Sequence, residues 1–198
     1  MLTLKSWTNF FNRESPEFYK TVKVRAPRDF FNRAEVFIED IQYTTNEELD
    51  GMNITFLVKL LFDNFLDHVR QDKDLYDYLL DLRESYSHFL NLNTNIVGNN
   101  LRDINRVAKF QWSLSNVSSM TGARDYLTLN VDIHPREVNR IAVFFDDWDC
   151  KYEIPLEMDL NELLSLLFIE FITELRNGLA EETKKEIIAS ILKKWEER

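Results

Sequence analysis

Asp146-Asp147-Trp148-Asp149 sets three carboxylates around one indole, with Cys150 and Lys151 directly after. Residues of these types support two chemistries. Clustered carboxylates, with Asp132 and Asp147 near Asp149, can hold a hard divalent cation that activates water, and Lys151 can steady the attacking oxygen. A tryptophan ringed by acids can equally be a binding knob, because tryptophan is a common interface anchor and the acids suit a basic partner. A third reading folds Trp148 back onto a sheet as a lid over the core.

Other chemistries find little support. The four glycines, Gly51, Gly98, Gly122 and Gly178, are too scattered for a phosphate-cradling or dinucleotide loop. No Gly-x-Ser-x-Gly motif occurs, and carboxylates beside Cys150 disfavour its thiolate. His68, His88 and His134 show no zinc-ligand spacing. His68 with Asp63 and Asp67 makes a helical carboxylate-histidine group that reads as a divalent-ion site or as a solvated helix face. Accordingly, no catalytic, cofactor-binding or metal-ligating residue is assigned and no cofactor is expected. The candidate partner-binding residues are Asp146, Asp147, Trp148 and Asp149.

The whole chain narrows the class. Its 198 residues suffice for one large domain or two small ones, and 44% hydrophobic residues can bury a core. The net charge of −10 repels nucleic acid and favours a basic protein partner. The longest apolar run, Leu163 to Ile172, is broken by Ser165 and Glu170 and is too short to span a bilayer. The single cysteine and the lack of a basic-then-apolar N-terminal segment predict a reducing cytoplasm and no membrane attachment.

The elements that must position the acidic stretch follow from periodicity. The expected fold is a single α+β domain over 1–198, a mostly antiparallel sheet with a helical hairpin and two C-terminal helices. Residues 1–43 read as strands and loops, with strands at Phe18–Arg25, stopped by Pro27, and at Ala34–Tyr43. Phe10-Phe-Asn-Arg13 echoes Phe30-Phe-Asn-Arg33, too little to define a repeat. Over 44–100 a helical hairpin is expected: 54–70 capped by Asn53, and 73–92 capped by Asp72 with a seam of Leu75, Leu79, Leu82, Tyr86 and Phe89. Residues 104–155 read as antiparallel strands at 110–114, 126–133, 139–145 and 151–154. The acidic residues then form the connection between the last two, above a buried face of Ile141, Val143 and Phe145. Helices close the chain over 159–197, the first capped by Asp159 and stopped at Gly178, the second about 180–197.

Two resemblances follow from these residues. Asp149-Cys-Lys151 near a strand resembles the PD-(D/E)xK nucleases, which implies magnesium-dependent DNA cleavage. The acidity, the cysteine-poor makeup, the 17 Asn against 7 Ala, and the segments Phe10-Phe-Asn-Arg13 and Phe144-Phe-Asp-Asp-Trp-Asp149 resemble small phage proteins that bind host RNA polymerase. Among these the profile looks most like staphylococcal phage inhibitors of the primary sigma factor. That resemblance implies a non-enzymatic inhibitor or redirector of transcription that docks on the C-terminal DNA-binding domain of sigma. An acidic DNA mimic aimed at another host nucleic-acid-binding protein is the alternative.

Overall fold

Alternation decides the sheet. Val22, Val24 and Ala26 turn inward while Thr21, Lys23 and Arg25 stay exposed, so Lys20–Pro27 forms a strand with one apolar face. The computed structural model describes residues 19–45, 49–71, 74–90, 125–152, 156–178 and 181–196. In these the chain runs β1 (Lys20–Pro27), α1 (Arg28–Thr44), α2 (Ile54–Arg70), α3 (Tyr76–Tyr86) with a 3-10 turn at Ser87–Phe89, β2 (Tyr126–Ile133), α4 (Pro135–Lys151), α5 (Leu160–Asn177) and α6 (Glu181–Glu196). The fold is α+β, with β1 and β2 paired antiparallel in the register Lys20 to Ile133 through Pro27 to Tyr126.

The helix α5 is the centre of the molecule. Every residue from Leu163 to Ile169 is buried, which is the pattern of a helix packed on all sides. It lies against β1, α2, α3 and α1, with Phe31 against Phe168 at a ring separation of 5.0 Å. Asp159 caps its start, accepting from the Glu162 N–H at 2.7 Å, and Gly178 ends it at φ 87°, a conformation that favours glycine. The expected pair at 54–92 forms as α2 and α3, but instead of making a self-contained hairpin α2 lies on α5 and β2, and α3 lies on α5. The Asn53 cap is present, accepting from Phe56 N–H at 3.0 Å.

The outer edge of β1 is closed by α5 itself. The Lys23 N–H donates to Asn161 Oδ1 and the Arg25 N–H to Ser165 Oγ, both at 2.9 Å. Two side chains thereby occupy a strand edge that would otherwise be open to another chain. Ser165 is buried, so Ser165→Ala leaves the Arg25 amide without its acceptor. Urea denaturation is expected to show a loss of about 1–2 kcal/mol, with faster hydrogen exchange at Arg25 than at Val24.

Two expected strands are helices. Residues 34–43 belong to α1, whose buried positions Phe30, Phe31, Ala34, Phe37, Ile38 and Ile41 recur at helical spacing. The apparent alternation came from a window that began after Phe30 and Phe31, and Val36 and Tyr43 are exposed at 56% and 88%. Residues 139–145 and the acidic connection after them belong to α4. Lys151 is that helix's last residue, so the expected strand at 151–154 does not begin there. The expected strand at 110–114, the Asp72 cap and the Phe10-Phe-Asn-Arg13 echo lie outside the described residues.

Candidate partner-binding surface

Local chemistry starts α4 firmly. Pro135 occupies the first helical position, where its missing N–H costs nothing. The His134 Nδ1 accepts from the Arg136 N–H at 3.1 Å, and the Glu137 carboxylate accepts from the His134 N–H at 3.3 Å. His134-Pro135-x-Glu137, directly after the expected strand at 126–133, carries this signal in the sequence.

The helical period sorts the acidic stretch into two faces. Ile141 and Trp148 are buried, Phe144 and Phe145 are half-buried between them, and Asp146, Asp147 and Asp149 are exposed. Val143, expected inside, is 58% exposed because it points away from that stripe. Trp148, the expected anchor, is only 4% exposed and is part of the core. Its ring stacks on Tyr76 at 4.7 Å, meets Tyr152 at 5.2 Å and Phe144 edge-on at 6.1 Å. Its indole N–H finds no acceptor among the described residues. The lid reading therefore describes Trp148, although the lid belongs to a helix.

The residues after Trp148 tie α4 to the start of α3. Tyr152 Oη donates to both Asp74 oxygens at 2.9 and 3.0 Å, and Lys151 Nζ lies 3.5 Å from Asp74. The Tyr76 backbone N–H and then the Tyr152 hydroxyl hold the Asp74 carboxyl below its usual range. These contacts bear on the nuclease motif. Lys151 faces Asp74, the Asp149-Cys-Lys151 tripeptide lies on a helix, and Asp132 accepts from Thr21 Oγ1 at 2.7 Å on the sheet. Among the described residues no group of three His, Cys, Asp or Glu side chains converges as a metal-ion site.

Asp146, Asp147 and Asp149 remain available. No ion pair joins them to another described residue. They crowd the C-terminal third of α4, where the helix dipole is negative, while Arg136 and Arg140 stand near its positive end. The charges that do suit the dipole are held in place, Glu137 in the cap and Lys151 beside Asp74. The two acids of the helical carboxylate-histidine group are occupied: Asp63 faces Lys194 at 3.7 Å and Asp67 pairs with Arg70 at 2.6 Å. No helix among the described residues is long and apolar enough to cross a membrane. No protein-family model, curated protein or solved structure matches the chain.

Proposed function

We propose that the chain is a phage-encoded, non-enzymatic regulator that binds a basic host protein in the host cytoplasm. The target class is the C-terminal DNA-binding domain of the RNA polymerase primary sigma factor, and the effect is to inhibit or redirect host transcription. One observation carries the reading: Asp146, Asp147 and Asp149 are exposed, unpaired among the described residues, and set against the dipole of their own helix. Charges that oppose their helix lower its stability, and a basic partner that neutralises them recovers that cost on binding. The net charge of −10 adds long-range attraction and a fast, salt-sensitive encounter.

Trp148 has no direct part in this interface, because it is buried. The test uses purified sigma C-terminal domain and the triple variant Asp146→Asn, Asp147→Asn, Asp149→Asn. Titration calorimetry at two salt concentrations is expected to show parent binding that weakens with salt. The triple variant should bind about tenfold or more weakly, while its melting temperature stays equal or rises slightly. Equal binding by parent and variant would remove α4 from the interface. A parent that ignores the sigma domain but binds another DNA-binding protein would carry the DNA-mimic reading instead.

A further inference from the structure

Asp63, Glu162 and Glu170 are half-buried carboxylates of the helical layer whose burial pushes the carboxyl upward, and their surroundings differ. Asp63 faces Lys194 at 3.7 Å, and Glu162 faces Arg83 at 3.0 Å. Glu170, on α5, has no cation among the described residues. Its one hydrogen bond comes from the Tyr78 hydroxyl at 2.6 Å, and the other charge acting on it is Glu174, one turn further along the helix. Burial, opposed by the Tyr78 bond and assisted by Glu174, pushes its carboxyl above the usual range. Glu170 borders a cavity of about 610 Å³ between α2, α3, α5 and α6. Phe65, Leu75, Leu167 and Phe171 supply apolar walls, and Tyr78 a further ring.

We propose that this cavity binds a small organic cation, an ammonium or guanidinium group carried on an apolar body. The cationic group takes the place at Glu170 that Lys194 and Arg83 take at the other two carboxylates. Its apolar body fills the space between Phe65 and Phe171. A cavity of this volume is the size of small-molecule sites, which combine apolar walls with a few orienting polar groups. Aromatic faces add to cation binding because their rings are electron-rich. The Tyr78 hydroxyl fixes the Glu170 carboxylate and leaves its second oxygen for the ligand. This site is separate from the exposed acids of α4 and does not depend on a protein partner.

The probe is 2-phenylethylammonium, with the uncharged 2-phenylethanol as control, followed by the NMR resonances of Tyr78, Glu170 and Phe171. The ammonium is expected to give saturable shifts at these three residues, and the alcohol to bind about tenfold more weakly. Glu170→Gln keeps an acceptor for Tyr78 and removes the charge. It should abolish the difference between the two probes and raise the melting temperature, whereas Asp63→Asn should leave the ammonium response unchanged. Equal shifts with the alcohol, or an unchanged ammonium response in Glu170→Gln, would overturn the proposal. So would binding confined to an arginine-containing peptide, which would make the cavity a seat for a partner's side chain.

Discussion

Trp148→Ala is expected to cost about 3–5 kcal/mol in urea denaturation, a large share of the 5–15 kcal/mol that holds a typical domain together. The indole is the middle of a four-ring cluster, stacked on Tyr76 and in contact with Tyr152 and Phe144. Truncation leaves a cavity at the contact between α4 and the start of α3, and the rings around it lose their common neighbour. Trp148→Phe should cost less than half as much, because it keeps a ring against Tyr76 and deletes an N–H that has no acceptor among the described residues. The comparison separates folding from binding. A sigma-binding defect in the alanine variant that tracks its unfolded fraction, with normal binding by the phenylalanine variant, is the expected pattern. A fully stable alanine variant would contradict the buried placement of this residue.

The same residue shows where the sequence was readable. Strict alternation over 126–133 produced β2 with its observed limits, and Asn53 and Asp159 cap the helices expected of them. These are signals set within a few residues, and tertiary structure had no reason to overrule them. For α4, Val143, Phe144 and Phe145 favour a strand locally, yet Ile141, Phe144, Phe145 and Trp148 recur every three or four residues. Helical spacing wins because it puts that stripe against α2 and α3, while a strand would have divided it between two faces. The exposure of Asp146, Asp147 and Asp149 survives the change of element, while the buried place of Val143 and the anchor role of Trp148 do not.

Other features depend on partners far along the chain. The apolar run Leu163 to Ile172 is interrupted twice, at Ser165 and Glu170. In sequence these interruptions only argue against a membrane span. In the fold one closes the β1 edge and the other borders the cavity. Their partners, Arg25 and Tyr78, lie 140 and 92 residues away, beyond the reach of any local pattern.

Arg83 is the third such case, and Arg83→Ala should be as damaging as the loss of Trp148. Its Nε donates to Glu162 Oε1 at 3.0 Å, its Nη1 to the Leu156 carbonyl and its Nη2 to the Glu157 carbonyl at 3.3 Å. One guanidinium thus holds α3 to both the first turn of α5 and the segment leading into it. Glu157 sits there at φ 47°, a left-handed conformation that costs a non-glycine residue about 1–2 kcal/mol. Removing Arg83 leaves the poorly exposed Glu162 carboxylate without its cation and two carbonyls without donors, an expected loss of about 3–5 kcal/mol. The pH dependence follows from Glu162. Burial already raises its carboxyl above the ordinary value, with Arg83 opposing the rise, so the variant raises it further. A raised folded value favours the protonated carboxyl, so stability from this group is present below the unfolded value and lost as pH rises through the folded one. The variant's deficit should therefore be largest at neutral pH and shrink as pH falls toward about 4, while the part due to the two carbonyls persists. A deficit that does not vary with pH would assign the whole effect to those carbonyls and leave Glu162 as a bystander. Arg83→Lys is expected to recover only part of the loss, since an ammonium cannot span a carboxylate and two carbonyls with the planar fork of a guanidinium.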